Sequence, residues 1–282
     1  MAALAVLAFL HPVAQLSWTR FTVHWSTVIG LVALGALYHW RARVAAADPS
    51  LGPAPTSAQR ARFIGGLVAI FLSLNGPLHD LSDSFLFSAH MVQHLLLTLL
   101  VPPLLISGTP ASLFRQALRY PWVAGIARVI AKPAVCFAIF NVVLIAWHFP
   151  VVYNLALGYH PIHIVQHLMF MVAGTLMWWP LLSPLPELPR LAYPLQLLYC
   201  FLMTLPMSLV AVSITYADQP LYPLYASAPR LWGVSPMQDQ LIGGLIMWIP
   251  GGLFFVGVMT VIFFKWAETN SDSVEGAQLV QR

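Results

Sequence analysis

Apolar residues occur in seven long segments along the chain, and shorter stretches rich in charged and polar residues separate them. Each apolar segment has roughly the 20 residues that a helix needs to cross the hydrocarbon core of a bilayer. The pattern therefore predicts seven membrane-spanning helices. The predicted spans are roughly 22–40, 63–79, 86–107, 133–150, 160–182, 194–215 and 240–264.

The composition supports a membrane protein. Of the 282 residues, 59% are hydrophobic and only 8% are charged, and the mean hydropathy is +0.78. A soluble core cannot bury so much apolar surface, so we expect lipid to solvate it. The sequence predicts one all-α membrane domain over 1–282, ending in a polar cytoplasmic tail over 266–282. The short apolar stretch 1–16 is expected to form an interfacial or re-entrant segment.

The basic residues predict the orientation of the bundle. Of the 13 Lys and Arg residues, only Arg20 and Arg230 lie on one predicted side, and the remaining eleven lie on the other. Because basic residues concentrate on the cytoplasmic side, the N-terminus is predicted outside and the C-terminus in the cytoplasm. The net charge of +4 follows from this topology and does not indicate a nucleic-acid-binding surface.

A histidine motif occurs twice. His90 and His94 lie four residues apart near the start of the third predicted span, and His163 and His167 repeat that spacing in the fifth. Residues four apart share one face of a helix. The predicted topology places both pairs in the outer half of the bilayer, where unpaired polar groups are costly and generally functional. These four histidines are the primary candidates for a metal site.

Three further side chains are predicted near the same outer layer. His148 ends the fourth span, His79 ends the second, and Asp239 begins the seventh, so they are secondary candidates. Asp239 also fits a simple helix cap. Single histidines near helix ends, such as His24 and His39, are more typical of ordinary interfacial residues.

The types of donor favour copper. Imidazoles bind copper or zinc, and thioethers favour copper(I). Methionines occur near the histidines, at Met91, Met169, Met237 and Met247, although methionine in an apolar chain is more often a packing residue. The two cysteines are expected in the inner halves of their helices, away from the histidines.

Several motifs in order resemble those of a known family. They are His90-Met-Val-Gln-His94, Val101-Pro-Pro-Leu-Leu-Ile-Ser-Gly-Thr-Pro110, Trp147-His-Phe-Pro150, His163 to His167 with Trp178-Trp-Pro180, and Asp239-Gln-Leu-Ile-Gly-Gly244. Over about residues 63–265 the chain resembles the multi-spanning CtaG-type (Caa3_CtaG-like) cytochrome c oxidase assembly factors. The resemblance implies a multi-pass protein of the bacterial cytoplasmic membrane that helps to mature a haem-copper oxidase. It also implies a subunit of that oxidase as partner and copper as cargo.

Other functions remain open from the sequence. A seven-helix zinc hydrolase would use the same histidines, with Asp239 as a base. A haem b protein would use one histidine from each of two helices, and a copper importer would have nearly the same sequence features. The residues favour a metal-binding assembly factor over an enzyme, and no catalytic residue is assigned.

Overall fold

The computed structural model describes residues 21–280, with side chains for 21–270, and these residues form helices and no strand. The α-helices are α1 (Trp25–Ala47), α2 (Ser57–Ser73), α3 (Gly76–Ser84), α4 (Phe87–Leu95), α5 (Val101–Gly108), α6 (Ala111–Leu118), α7 (Pro121–Ile130), α8 (Pro133–His148), α9 (Pro150–Gly158), α10 (His160–Leu182), α11 (Tyr193–Thr215), α12 (Pro223–Ser227) and α13 (Pro236–Val280). A π-helical turn, Leu96–Leu100, joins α4 to α5. The predicted segment 1–16 lies outside the described residues.

Four of the helical segments are long and apolar enough to cross a membrane: Phe87–Gly108, His160–Leu182, Tyr193–Thr215 and Pro236–Asn270. The first three agree with predicted spans to within one residue at each end, and the fourth begins four residues before and ends six residues after the predicted span 240–264. Two bent pairs, α2 with α3 and α7 with α8, add up to two more spans, with bends of 46° and 73°. The described residues thus hold four to six candidate spans, which is compatible with a multi-pass membrane protein.

The first predicted span forms helix α1, which is not among these candidates. Ser26 and Thr27 precede its apolar run over 28–38, and His39 and Arg41 follow it, so the run is only about half as long as a membrane span needs. Ile29 and Val32 on this helix are nevertheless 67% and 64% exposed. The count of seven spans therefore stays a prediction.

Prolines begin many of the helices, where the missing N–H costs no hydrogen bond. A different arrangement occurs inside the third span. Pro102 cannot donate to the carbonyl of Thr98, and the indole Nε1 of Trp178 on α10 donates to that oxygen at 2.9 Å. The π-helical turn lies at this point, one turn after His94, and such turns are frequent at functional sites.

The bend between α2 and α3 lies at Gly76. Its φ of 68° belongs to the left-handed region that glycine adopts without strain. The preceding Asn75 donates from its side-chain amide to the carbonyl of Phe71 and accepts from the backbone N–H of His24. This turn fixes the direction of α3, the helix that contributes His79 to the site.

Large apolar side chains cover the outer surface of the spanning helices. Leu209 is 70% exposed, Val142 is 65% exposed and Leu253 is 64% exposed, which suits contact with lipid. Helix α13 continues through Val280, so the backbone of the predicted tail over 266–282 is helical as far as it is described.

Candidate metal centre

The two repeated histidine pairs face each other across helices α4 and α10. On α4 the ring centroids of His90 and His94 are 4.1 Å apart. On α10 those of His163 and His167 are 4.3 Å apart. Between the helices, His90 and His163 are 5.5 Å apart, and His94 and His167 are 5.6 Å apart, measured between ring centroids. All four side chains are buried, so the four primary candidates form one group.

Two of the secondary candidates extend this group. The ring of His79 on α3 lies 6.3 Å from those of both His163 and His167. The ring of His148, the last residue of α8, lies 6.1 Å from that of His94. Both side chains are buried. We call the six residues the histidine cluster: His79, His90, His94, His148, His163 and His167.

Sequence reasoning missed a carboxylate in the same place. Asp83 Oδ2 lies 3.3 Å from His79 Nε2 and 3.5 Å from His163 Nδ1. A signal for it was available, because Asp83 follows His79 by four residues, the spacing of the histidine pairs. Asp83 turns a purely imidazole site into one with mixed nitrogen and oxygen donors.

Two overlapping sets of donors have the compactness that a metal ion requires. One set consists of His79, Asp83 and His167, and the other of Asp83, His90 and His163. Within each set, one donor atom from every residue lies within 4.8 Å of the others. Asp83 belongs to both sets and is therefore the central anion of the site.

Many imidazole nitrogens of the cluster have no hydrogen-bond partner within the described part of the chain. They are Nε2 of His90, His148 and His163, and both ring nitrogens of His94 and His167. An unpaired polar atom in an apolar interior is costly. The arrangement therefore favours an ion, or ordered water, between these rings.

Hydrogen bonds fix which nitrogen of His90 is available. The Tyr225 hydroxyl donates to the Ser82 carbonyl at 2.6 Å and lies 3.2 Å from His90 Nδ1. Burial raises the pKa of Tyr225 well above its ordinary value, so the phenol keeps its proton. Because that proton goes to a carbonyl, His90 Nδ1 must donate, and its Nε2 keeps a lone pair for a metal.

Hydrogen bonds also determine which ring nitrogen carries the proton in His148 and His79. In His148 they leave Nε2 with a lone pair, whereas in His79 they leave Nε2 protonated. His148 Nδ1 donates to the Leu144 carbonyl at 2.7 Å, which leaves its Nε2 as a lone-pair donor. The Gln93 amide donates to the Ser73 carbonyl at 2.6 Å and lies 3.0 Å from His79 Nδ1. His79 Nδ1 is then the acceptor, and its Nε2–H points to Asp83. In this state His79 orients the carboxylate.

Two further histidines lie close by: His24, which we expected to be an ordinary interfacial residue, and His160, the first residue of α10. The ring centroid of His24 is 4.3 Å from that of His79 and 6.0 Å from that of His160. All three line an otherwise mainly apolar cavity of about 580 Å³ between α1 and α10. No sequence pattern predicts this proximity, because it depends on how α1 packs.

Asp239 has a different environment from the histidine cluster. Its carboxylate accepts from the backbone N–H groups of Phe87, at 2.7 Å, and Ser88, at 3.0 Å, and from the Ser88 hydroxyl at 2.5 Å. Phe87 is the first residue of α4. Asp239 thus caps the helix that presents His90 and His94, and it belongs to neither compact donor set.

The cysteines are both buried and free. Cys136 donates to the Ile130 carbonyl at 3.1 Å and packs in a cluster with Trp179 and Leu185. Neither thiol belongs to the compact donor sets found among the described residues.

Comparison with known proteins gives a family and distant relatives. The family described as cytochrome c oxidase caa3 assembly factor (Caa3_CtaG) matches residues 34–269. An uncharacterized protein of Mycobacterium bovis is 26% identical over 204 residues, which are 65% of this chain and 30% of that protein. An uncharacterized protein of Mycobacterium leprae is 24% identical over 219 residues, 72% of this chain and 33% of that protein. The chain thus spans about a third of these relatives. No solved structure matches.

Proposed function

The chain belongs to the cytochrome c oxidase caa3 assembly factor family, and we propose that it serves this role by binding copper and assisting metallation of the oxidase. The observation that supports the proposal best is the buried histidine cluster around Asp83, with lone pairs on facing helices. Family membership supports a role in oxidase assembly, and the histidine cluster supports metal binding as the chemistry of that role.

Copper suits these donors. Several neutral imidazoles with one carboxylate bind borderline metal ions such as copper and zinc, and a haem-copper oxidase contains copper. We assign His90, His94, His163 and His167 as the primary ligands and add Asp83 to them. His148 is a further ligand. His79 holds Asp83 in position, by the hydrogen bonds described above.

The copper is cargo, so its site must also release it. A mixed set of imidazoles and a carboxylate meets this need better than a closed cage of thiolates, which traps metal. The acceptor is a membrane subunit of the haem-copper oxidase, which contacts this protein laterally within the bilayer. We propose the bacterial cytoplasmic membrane as the location, with lipid around the exposed apolar surface.

The proposed topology has seven spans, with α1 as the first, the N-terminus outside and the C-terminus in the cytoplasm. It rests on the distribution of basic residues and puts the buried histidine cluster in the outer half of the bilayer. Reporter fusions test it: fusions in the loop 41–62 and at the C-terminus should report the cytoplasm, and fusions in 216–238 the outside. Fusions that report the reverse would contradict the orientation.

The metal is identified by elemental analysis and a visible spectrum of the purified full chain. Copper retained in stoichiometric amount, with no Soret band, is the expected result. Stoichiometric zinc in place of copper would support a hydrolase, and a Soret band would support a haem protein. Either result would refute the copper proposal.

A further inference from the structure

A small enclosed cavity adjoins the histidine cluster on its methionine-rich side. Its volume is about 20 Å³, and His94 and His148 line it together with Met91, Met207 and Met247. These three methionines are between 1% and 4% exposed, and the two histidines are each 5% exposed. A volume of this size holds one small occupant.

Both imidazoles have a lone pair for that occupant. His148 Nε2 and both ring nitrogens of His94 lack a hydrogen-bond partner among the described residues. The two ring centroids are 6.1 Å apart, close to the roughly 6 Å expected when two imidazoles share an ion at about 2 Å from each nitrogen. Neither residue belongs to the two compact donor sets that contain Asp83.

The remaining donors around the cavity are soft. Thioether sulfurs bind copper(I) far better than they bind hard divalent ions, whereas the Asp83 carboxylate favours the harder divalent state. We propose that this cavity is a second metal position, which binds copper(I) through His94, His148 and the surrounding methionine sulfurs. The inference rests on the proposed copper-binding function and divides the ligands assigned there. His90, His163, His167 and Asp83 stay at the first position, and His94 and His148 with the methionine sulfurs form the second.

This second position gives a role to three buried methionines that the Asp83 donor sets do not include. The ring of His148 lies 6.1 Å from that of His94, and Met91 stands between His90 and His94 in the sequence of α4. Met207 on α11 and Met247 on α13 come from helices that contribute no imidazole to the cluster. Four helices thus converge on one cavity with donors of the kind that copper(I) prefers.

X-ray absorption of the purified full chain loaded with copper(I) under reducing conditions tests the inference. The wild-type protein should bind about two copper(I) ions and show copper–sulfur scattering. The double variant Met207→Leu/Met247→Leu, which nearly conserves volume and leaves Met91 in place, should lose most of the sulfur scattering and about one ion. Met169→Leu is the matched control, because Met169 is 40% exposed and does not line the cavity.

The outcomes separate this inference from the proposed function. Copper bound with only nitrogen and oxygen scattering, or sulfur scattering unchanged in the double variant, would refute the second position and leave a water as the occupant. Failure of the wild-type chain to bind copper in any state would refute the proposed function itself. Asp83→Asn should keep the sulfur scattering while it loses the other ion. The ion that the Met207→Leu/Met247→Leu variant still binds at the first position shows that this variant folds.

Discussion

The role of Asp239 as a cap of helix α4 gives a quantitative prediction for the variant Asp239→Asn. The carboxylate accepts three hydrogen bonds, two from Ser88 and one from Phe87, and it is 1% exposed. Asparagine keeps one acceptor oxygen and replaces the other with an NH2 group. That group faces an N–H donor and cannot accept from it.

The expected cost follows from these contacts. A hydrogen bond to a charged group contributes about 1.5–3 kcal/mol, and a buried donor left unsatisfied costs about 1–3 kcal/mol. We therefore expect Asp239→Asn to lower the free energy of unfolding by about 2–4 kcal/mol. Because Asp239 does not belong to the donor sets, copper bound per folded chain should stay near the wild-type value.

Denaturant unfolding of the detergent-solubilised protein, with copper measured on the folded fraction, checks both parts. Asp218→Asn is the matched control, because Asp218 is exposed in the loop between α11 and α12. Unchanged stability with loss of copper would make Asp239 a ligand. Unchanged stability and copper with loss of function would make it a base, as a hydrolase requires.

Two further predictions concern packing and the metal site. A Cβ on Gly244 would lie 2.3 Å from Thr215 Oγ1 and 3.0 Å from the backbone nitrogen of the same residue. Gly244→Ala should therefore destabilise the protein by about 1–3 kcal/mol. Gly257→Ala in the same helix is the control, because no described atom lies within 4 Å of the added Cβ, and it should stabilise the protein by about 0.5–1 kcal/mol. Equal effects of the two substitutions in unfolding measurements would refute the packing of α11 on α13. Asp83→Asn should weaken copper binding by about 10–100-fold in a competition titration, with Asp218→Asn as control, and unchanged affinity would remove Asp83 from the site.

The sequence predicted most helices because each spanning segment is a long apolar run. Segment 160–182 was predicted to the residue and 86–107 to within one, since prolines and polar residues end these runs sharply. The bend at Gly76 was missed. It depends on a single backbone conformation with φ of 68°, which hydropathy does not report.

The histidine pairs were predictable for a related reason. A spacing of four residues fixes one helix face, and the repeat of His90 and His94 by His163 and His167 indicates a shared purpose. The role of Asp239 could not be predicted from the sequence, because a helix cap and a metal ligand would both be a carboxylate at the same depth in the membrane. Only the position of α4 relative to α13 distinguishes them.

The copper content of the oxidase in cells tests the central claim most directly. In a strain that makes the variant His94→Ala/His167→Ala in place of the wild-type chain, we predict oxidase with normal protein and haem but little copper under copper limitation. Added copper should restore part of the metal by mass action, and His39→Ala, an exposed histidine on α1, should behave as wild type. Fully metallated, active oxidase in the double variant under copper limitation would contradict the account.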